Sequence, residues 1–458
     1  MDYYDYICGR NRKTDLIMNH WNTLRTALSL ALTVGTLCCA PLSARTFCIA
    51  PTGDDAAAGT VAAPWATLAR AQRTVQPGDT VYIRGGRYAP TTADVMAHQG
   101  NYALVYALHT SGAGPDARIA YIAYPGDERP VFDCTMVRPE GYRVSAFHVE
   151  ADWLYLYGFD VVGVQVVVRG HTQSECISVN GSHNVFEHLA MHDGMAIGYY
   201  QTGGADNLVL NCDAYCNYDP YSEGPYGGNV DGFGGHVREA DGGLGNVFRG
   251  CRAWWNSDDG FDLINAQAAY TIEDCWSFYN GYQPRSFDRA GDGTGFKAGG
   301  YGMRPDLRRV PRVVPRHRVV GCIAYRNKNK GFYANHHLGG IDWHHNTAYR
   351  NPVNYSMLNR IAAAVARDTT GYGHTLWCNL SVGTDAERHL DAIDEGRSTL
   401  WNNVFGTETE ADGDAFVTLD PEGLMAPRRP DGSLPELDFL RLRPGTPLYR
   451  RGVGFQFE

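Results

Sequence analysis

Three aspartates that could hold a cation fall within five residues of one another, at Asp258, Asp259 and Asp262. A Gly260-Phe261 pair lies between the second and the third. Carboxylates held this close repel one another and raise each other's pKa. A hard cation with oxygen ligands, above all Ca²⁺, is the simplest way to offset that repulsion. A solvated acidic turn would show the same three residues, so this stretch alone leaves both interpretations open.

The Gly-Phe pair recurs along the chain, and each copy follows a second landmark. The pairs are Gly232-Phe233, Gly260-Phe261, Gly295-Phe296 and Gly331-Phe332. Upstream of each pair a cysteine is followed five residues later by an asparagine: Cys212 and Asn217, Cys251 and Asn256, Cys275 and Asn280, and Cys322 and Asn327. Asn346 and Asn351 continue the spacing. Cys251 and Cys275 are 24 residues apart, as are Asn327 and Asn351, so the chain contains a repeat.

A repeat of this length, made of short runs rich in Val, Ile, Tyr, Trp and Phe, indicates a solenoid. The runs are too short for helices and are bounded by turn residues. We therefore predict an all-β fold, a right-handed parallel β-helix whose coils stack at the strand spacing of about 4.8 Å. The cysteines and phenylalanines would fill its interior. Each asparagine would lie at a tight turn, with side-chain amides bonding from coil to coil.

Aligning the Gly-Phe pairs brings other residues of successive coils together. Asp231 falls beside Asp259, and Lys297, which directly follows its Phe, falls beside Asp262. Side chains alternate between the two faces of a strand, so the neighbours of an inward Phe point outward. We expect these four residues to share an outer patch, with Asp258 at its edge. A cation held by aspartates, with an amine one coil away, is an arrangement suited to catalysis.

The chain has 458 residues, 44% of them hydrophobic, with 53 glycines and a formal net charge of −10. Its length would allow two or three domains, but a solenoid can run this long as one. Residues 64–72 predict a short N-terminal capping helix with Pro64 in its first turn, and residues 80–84 predict a strand. We divide the chain into a leader (1–44), a cap with the first coils (45–125), the catalytic β-helix (126–405) and an irregular C-terminal tail packed on the solenoid (406–458).

The leader has the features of a secretory signal. A start at Met18 is followed by the apolar residues 26–40 and by small residues up to Ala44, after which we predict cleavage. Residues 1–17 do not look like the start of a protein, so Met18 could be the true start. The apolar run is short for a membrane span. We therefore expect a secreted protein, extracellular or periplasmic, without membrane association after cleavage.

Cleavage would remove three of the 12 cysteines, namely Cys8, Cys38 and Cys39. The remaining number is odd, and four of these residues share one coil position. That pattern favours buried thiols over a disulfide framework. One bridge, through Cys48, Cys134 or Cys176, remains open.

One segment of this acidic chain is strongly basic. From Lys297 to Lys330 there are ten Lys or Arg residues and one acid, Asp306. Such a segment beside a cation site suggests an anionic ligand that is steered locally, since Arg binds carboxylates in a planar fork. It could equally include a solvated loop at 304–318. The tentative substrate-binding residues are Arg326, Lys328 and Lys330, or an arginine of that loop. An acidic chain without a nucleic-acid-binding motif argues against nucleic acid, and we expect a monomer.

Four stretches together resemble the family nine polysaccharide lyases, a group of pectate lyases. They are NSDDGFDL (256–263), GDGTGFKAGG (291–300), the entry segment with APWATLARA and QPGDTVYIRGG (59–86), and LMAPRRPDGSLPELDFL (424–440). The likeness covers nearly all of the mature chain. It implies a right-handed parallel β-helix with an asparagine ladder, bound Ca²⁺ and a lysine that abstracts a proton.

Mapped by motif, the family's calcium-binding aspartates fall on Asp231, Asp258, Asp259 and Asp262, and its base falls on Lys297. The segment of Asp231 departs from the family pattern because a long Gly- and Tyr-rich insertion precedes it. Some family members act on other uronate polymers. The resemblance therefore implies an acidic polysaccharide as the partner, with polygalacturonate as the first candidate.

The expected reaction is β-elimination on 1,4-linked galacturonan. Neutral Lys297 would remove the C5 proton of a uronate whose carboxylate is neutralised by Ca²⁺, and the C4–O bond would then break. A nearby cation lowers the pKa of Lys297, whereas Asp262 raises it, so we expect an alkaline optimum.

Two other functions fit the same pattern. A β-helix glycoside hydrolase of pectin could use the carboxylates as acid and base, although Lys297 in register argues against it. A non-catalytic, calcium-stabilised β-helix could bind polysaccharide without turnover.

Two further groups could suggest a metal. Neighbouring residues of a strand point to opposite faces, which favours a groove or turn role for the pairs His336-His337 and His344-His345. Asp288 and Asp292 could hold a second Ca²⁺, but a loop role is preferred.

Overall fold

The computed structural model describes residues 44–455, except for 171–172, 223, 225, 241, 303–306, 309, 384–387 and 407–412. The predicted leader and its alternative start at Met18 therefore lie outside the described residues, apart from Ala44. Arg304, Asp306 and Arg309 of the basic segment also lie outside them. In the part of the chain that the structure describes, no helix is both long and apolar enough to cross a membrane.

Short strands of the described chain assemble into three long sheets. Sheet 1 has 12 strands among the described residues, in chain order Thr46–Ile49, Thr80–Ile83, Ile119–Ala123, Leu154–Tyr157, Val185–Glu187, Leu208–Leu210, Asn246–Arg249, Tyr270–Glu273, Arg318–Val320, Asp342–His344, Thr375–Trp377 and Thr399–Trp401. Sheet 2 has 11 within the same residues, Gly86–Tyr88, Pro130–Asp133, Asp160–Val162, Ala190–His192, Asp213–Tyr215, Arg252–Trp254, Trp276–Phe278, Ile323–Tyr325, Thr347–Tyr349, Leu380–Val382 and Val404–Phe405. Sheet 3, counted over that part of the chain, also has 11, Ala97–Gln99, Tyr102–Leu108, Arg143–Val149, Glu175–Val179, Ile197–Gln201, Phe233–Gly235, Phe261–Asp262, Phe296–Lys297, Lys330–Tyr333, Val353–Ser356 and Leu390–Asp391.

The other described elements are short. Asn359–Ala362 and Val365–Thr369 form an antiparallel hairpin. The α-helices are Leu68–Gln72 and Pro447–Arg451, and the 3₁₀ turns are Thr92–Asp94, Pro115–Ala117, Cys134–Met136, Glu395–Arg397 and Gly413–Ala415.

The chain visits sheets 1, 2 and 3 in turn, so each circuit makes one coil of a parallel β-helix. One coil runs through Tyr270–Glu273, Trp276–Phe278 and Phe296–Lys297. Each of these strands pairs in parallel with its counterpart in the next coil. The antiparallel pair of Ala97–Gln99 with Tyr102–Leu108, at the first edge of sheet 3, is the exception. The predicted fold is confirmed.

The aligned phenylalanines form a stack inside the solenoid. The strands of sheet 3 pair Phe233 with Phe261, Phe261 with Phe296, and Phe296 with Phe332. Their rings lie nearly parallel, with centroids 4.9–5.0 Å apart, which is close to the strand spacing. All four side chains are buried, so the stack fixes the register of the coils from within.

The predicted asparagine ladder runs along the corner between sheets 2 and 3. The Nδ2 atom of each Asn donates to the Oδ1 atom of the next at 3.0–3.1 Å, through Asn217, Asn256, Asn280, Asn327, Asn351 and Asn354. The residue before each of the first five has positive φ: Cys216, Trp255, Tyr279, Arg326 and Arg350. Such residues rarely adopt this left-handed conformation. The ladder holds the corner in it by satisfying the buried amides.

A second corner, between sheets 1 and 2, carries the cysteine stack. Nine cysteines, from Cys48 to Cys378, are buried thiols outside any disulfide in the described part of the chain. The prediction of buried thiols is confirmed there, and the possible bridge through Cys48, Cys134 or Cys176 is absent among those residues. Asparagines continue the stack, because Asn346 donates to Asn379 and Asn379 to Asn403.

A helix does cap the first coil, but its start differs from the prediction. The helix covers Leu68–Gln72, and the Thr67 side chain caps it by accepting a hydrogen bond from the Arg70 amide at 3.1 Å. Pro64 precedes this cap and is not in the first turn. The threonine cap therefore outweighs the proline signal, since a side-chain oxygen satisfies an otherwise unpaired amide. The predicted strand at 80–84 ends at Ile83.

The C-terminal tail is tied to the middle of the solenoid by buried arginines. Arg428 donates to Asp213 Oδ1 at 2.6 Å and to the carbonyl oxygens of Cys212 and Gly250 at 2.9 and 3.0 Å. Arg252 binds the same Asp213 carboxylate through two nitrogens, at 2.9 and 2.8 Å. Arg252 also donates to the carbonyl oxygens of two tail residues, Leu424 and Ala426. These contacts anchor the tail along sheet 2.

Candidate active site

The sheet 3 register brings the five predicted site residues together. Asp262 pairs with Lys297 across adjacent strands, and the Asp259 amide donates to Asp231 Oδ1 at 3.1 Å. In successive coils the Lys297 position is held by His148, Ser178, Tyr200, Gly234, Asp262, Lys297 and Tyr333, which we call the outer column. The stacked Phe rings inside the solenoid fix the register of the strands, and the register determines which polar side chains become neighbours on the outer face.

The Lys297 ammonium lies between two carboxylates. Its Nζ atom is 3.0 Å from Asp259 Oδ2 and 3.0 Å from Asp262 Oδ2. The Lys297 side chain is 13% exposed, so solvent still reaches one side of it, whereas Asp259 is fully covered. This arrangement holds a largely buried amine against two carboxyl groups.

Backbone amides fix the aspartates. Asp259 Oδ1 accepts from the Thr294 amide at 2.6 Å, and Asp262 Oδ1 accepts from the Ile264 amide at 2.6 Å. Asp258 accepts from the Asn229 amide at 2.9 Å and from the Asp292 amide. Because these donors come from three loops next to the sheet 3 strands, the carboxylate positions depend on loops as well as on register.

The predicted outer patch is therefore not solvated. Asp231, Asp258, Asp259 and Asp262 are each at most 5% exposed. Burial raises the pKa of Asp231 well above its usual range, and burial raises that of Asp258 as well. Burial and the neighbouring carboxylates raise the pKa of Asp259 to about 8, although Lys297 acts in the opposite direction. The four carboxyl groups are thus shielded from solvent, and the Lys297 amine is the cationic side chain beside them.

A divalent cation fits this donor set. Carboxylate oxygens of Asp231, Asp258 and Asp259 all lie within 4.8 Å of one another. The donors are oxygens only, which is the preference of Ca²⁺. A cation there would offset the mutual repulsion that raises these pKa values. This group contains three of the four predicted calcium ligands, without Asp262. The metal role of all four aspartates remains a prediction.

His236 is a site residue that the sequence did not reveal. One of its ring nitrogens lies within 4.8 Å of carboxylate oxygens of Asp231 and Asp262. The residue follows the strand Phe233–Gly235, where the outer column has Gly234 in place of a side chain. The run Gly234-Gly235 before a histidine was the available signal, but its meaning depends on how the chain turns after the strand.

The three tentative substrate-binding residues lie in different surroundings, and their role remains a prediction. The Lys328 ammonium donates to the carbonyl oxygens of Ala290 and Gly291. The Arg326 guanidinium lies 3.8 Å from the centre of the Phe287 ring. Lys330 donates to Asn329 Oδ1 at 3.1 Å and begins the sheet 3 strand that follows Lys297. Lys330 is thus the one placed on the sheet that carries the site.

The side chains of the remaining metal candidates lie outside the groups of possible ligands described above. His337 bonds to the Pro315 carbonyl oxygen at 2.8 Å, His336 Nε2 is 3.1 Å from Asp368 Oδ1, and His344 stacks on Trp377. Asp288 and Asp292 are exposed. Within the described residues, the groups close enough to share an ion contain none of these side chains.

A second polar cluster lies upstream on the same face of sheet 3. Ser178 of the outer column bonds to Ser145 at 2.9 Å and to His148 Nδ1 at 2.7 Å. Beside them, burial raises the pKa of Glu175 to about 7, and hydrogen bonds from Tyr102 and the two serines act in the opposite direction. We call Glu175, Tyr102, Ser145 and Ser178 the hydroxyl cluster, because neutral hydroxyl donors surround one carboxyl.

Comparison with known proteins places these features in a family. Residues 47–373 match the family described as "Pel9A-like, right handed beta helix region". Pectate lyase L of Dickeya dadantii (strain 3937) is 31% identical over 414 residues, which is 89% of this chain and 86% of that protein. The match supports the right-handed sense of the coils and extends over the aspartates and Lys297.

Two solved structures superpose on most of the chain. A structure of a rhamnogalacturonan lyase has a TM-score of 0.86 and 45% identity, over 90% of this chain and 99% of its own. The structure of pectate lyase Pel9A has a TM-score of 0.69 and 31% identity, over 88% and 90% respectively. Both relatives are lyases that act on polysaccharides.

Proposed function

Since the chain belongs to the family of Pel9A-like right-handed β-helices and is a polysaccharide lyase, we propose that it cleaves polygalacturonate by calcium-dependent β-elimination, with Lys297 as the base. The observation that carries the proposal is the Lys297 ammonium, 3.0 Å from two of four buried aspartates on adjacent coils. A hydrolase or a non-catalytic binding protein would need no such amine. The family sets those two alternatives aside.

Asp231, Asp258, Asp259 and Asp262 would hold the Ca²⁺. When bound, the ion would supply positive charge against the substrate carboxylate, where negative charge develops as the C5 proton leaves. The protein's part is to hold four carboxylates in place with backbone amides, so that little rearrangement accompanies binding. Oxygen ligands fixed in this way suit a hard cation.

Lys297 would take the C5 proton. Burial lowers its pKa, but the surrounding aspartates outweigh burial and raise the pKa well above its ordinary value. A cation bound among the carboxylates would reduce the extent to which they raise the pKa of Lys297. The neutral amine would then become available at alkaline rather than neutral pH. Asp259 and Asp262 also orient the amine, since each accepts one of its hydrogens. The C4–O bond breaks after proton transfer and leaves an unsaturated sugar end.

Lys330 would bind a neighbouring carboxylate of the polymer. It lies on sheet 3 one coil beyond Lys297, so a chain that runs along the solenoid axis would pass both residues. Arg326 and Lys328 would contribute more weakly, because one stacks on Phe287 and the other already binds loop carbonyl oxygens. An acidic polymer suits this basic flank.

Rhamnogalacturonan is the second candidate polymer. The solved rhamnogalacturonan lyase shares 45% identity with this chain, against 31% for pectate lyase Pel9A. Both polymers contain galacturonate, so the same proton abstraction applies to each. Polygalacturonate is supported by the similarity to pectate lyase L, and rhamnogalacturonan is supported by the higher identity to the solved rhamnogalacturonan lyase.

We propose that the enzyme acts outside the cytoplasm, because such polymers lie outside the cell that degrades them and residues 18–44 have the features of a secretory signal. Fractionation of the producing cells, followed by sequencing of the mature N-terminus, tests this. A mature chain that begins near Arg45 agrees with the proposal, and an intact chain in the cytoplasm would contradict it.

One assay tests the reaction and the polymer together. The purified protein is incubated with polygalacturonate or with rhamnogalacturonan at alkaline pH with Ca²⁺, and ultraviolet absorbance of the unsaturated product is followed. We expect faster release from polygalacturonate, loss of the signal with a chelator, and rescue by added Ca²⁺. Cleavage of rhamnogalacturonan alone would replace the first polymer by the second. Activity that survives complete chelation would end the calcium proposal.

A further inference from the structure

The His236 ring is held in one orientation by a backbone contact. Its Nδ1 atom lies 2.6 Å from the carbonyl oxygen of Ile264. A carbonyl oxygen can only accept, so Nδ1 carries the proton in this bond and Nε2 of the neutral ring presents a lone pair. The Nε2 atom is buried and has no hydrogen-bond partner among the described residues. A buried nitrogen lone pair left in this way is what a metal ligand requires.

Glycine at the outer column makes room for this ring. Gly234 pairs with Asp262 in the next coil, and a Cβ atom on Gly234 would come 2.8 Å from His236 Nε2 and 2.8 Å from Tyr200 Cδ2. Neither contact leaves space for a side chain. The imidazole therefore occupies the place where the next two coils carry Asp262 and Lys297, and the Tyr200 ring of the preceding coil packs against it.

The four aspartates form two overlapping groups. Asp231, Asp258 and Asp259 bring oxygens within 4.8 Å of one another, and Asp231, Asp262 and His236 bring two oxygens and a nitrogen within the same distance. Asp231 belongs to both groups. The first offers oxygen alone, which suits Ca²⁺. The second includes an imidazole, which suits first-row transition metals such as Mn²⁺, Ni²⁺ or Zn²⁺.

We propose that Asp231, Asp262 and His236 form a second cation position, selective for a first-row transition-metal ion, which overlaps the calcium position because Asp231 and Asp262 serve both. The carbonyl of Ile264 orients the histidine, and the amide of Ile264 holds Asp262 at 2.6 Å, so one residue supports two of the three ligands. Outer-shell contacts of this kind commonly fix metal-binding histidines. The position is defined by ligand type and does not depend on which polymer the enzyme cleaves.

Binding measurements separate the two positions. Calorimetric titration of the full-length, metal-stripped protein with Ni²⁺ and with Ca²⁺ is compared for wild type, His236→Gln and Asp258→Asn. We expect His236→Gln to lower Ni²⁺ affinity about 100-fold and to change Ca²⁺ affinity little. Asp258→Asn should do the reverse. His98→Gln, at an exposed histidine far from this group in sequence, is the matched control and should leave both affinities unchanged.

A spectroscopic readout does not depend on a variant folding. Pulsed electron paramagnetic resonance of wild-type protein with one equivalent of Cu²⁺, an ion that favours imidazole ligands, should show coupling to a ¹⁴N nucleus, and His236→Gln should abolish that coupling. A wild-type spectrum without nitrogen coupling would overturn the proposal. So would equal Ni²⁺ affinity in wild type and His236→Gln. The lyase assay is not involved, so failure here leaves the proposed reaction standing.

Discussion

Two clusters of polar side chains lie along one face of sheet 3 and compensate their buried carboxyls in opposite ways. The hydroxyl cluster places a single carboxyl, Glu175, among Tyr102, Ser145 and Ser178. The aspartate cluster consists of Asp231, Asp258, Asp259 and Asp262 with Lys297. Apart from this amine, its carboxylates accept hydrogen bonds mainly from backbone amides. The register, the sheet and the degree of burial are shared. One buried carboxyl can be held by neutral donors, whereas four need additional positive charge.

Removal of the Lys297 amine should give the largest functional difference between the two clusters. Lys297→Met should lower the rate of unsaturated-product release by about 1,000-fold or more, because a general base contributes on that scale. Glu175→Gln, in the other cluster, should retain activity within a few-fold. Initial rates at saturating Ca²⁺ measure both. Full activity in Lys297→Met would remove the lysine from its role and would make the two clusters functionally alike.

Calcium should distinguish the clusters by stability. At a Ca²⁺ concentration about 1,000 times the dissociation constant, the free energy of unfolding of the wild type should rise by about 4 kcal/mol. Asp259→Asn should lose most of this gain, and Glu175→Gln should keep it. Thermal unfolding with and without Ca²⁺ measures the effect. An equal gain in all three proteins would show that the ion binds elsewhere.

Proton uptake should distinguish them in the absence of metal. Burial raises the pKa of Glu175 from 4.5 to about 7, so the folded state holds a proton that the unfolded state releases. The raised pKa values of Asp231, Asp258 and Asp259 lower the stability of wild type and Glu175→Gln alike as pH rises. Deprotonation of Glu175 should lower the stability of the wild type further between pH 5 and 8, by about 3 kcal/mol at most. Glu175→Gln should lack this loss. Chemical unfolding of both proteins with chelator at the two pH values checks it, and parallel pH profiles would contradict it.

The smallest effect concerns one hydroxyl. Ser178→Ala removes partners of Ser145 and His148 and should lower the free energy of unfolding by about 1–2 kcal/mol. The stabilisation by Ca²⁺ should be the same as in wild type, since neutral donors of one cluster do not support the other. A lost response to Ca²⁺ in this variant would show that the clusters are coupled through the outer column.

Repetition explains how far the sequence alone could reach. Asp231, Asp259, Asp262 and Lys297 were placed correctly relative to one another because Phe233, Phe261 and Phe296 hold the same position in three successive coils. The ladder through Asn217 to Asn351 followed from the same periodicity. A stack of identical interior residues leaves one register, and everything counted from it is fixed.

The repeat does not determine the contacts that the loops make. The burial of Asp258 depends on amides from Asn229 and Asp292, which lie in insertions of different length. His236 follows a strand end, and its approach to Asp262 depends on the Ile264 carbonyl of the next coil. The capping helix began at Thr67 rather than near Pro64 because of a single side-chain hydrogen bond. Such contacts have no period and leave little trace in spacing.

The clasp between Arg428 and Asp213 joins residues 215 positions apart. During synthesis, the coil around Cys212 therefore emerges long before its last hydrogen-bond donor exists. A product cut short of residue 428 would leave the carbonyl oxygens of Cys212 and Gly250 without that donor and one flank of sheet 2 uncovered. The packing of this flank of sheet 2 is therefore completed only after the tail has been synthesised.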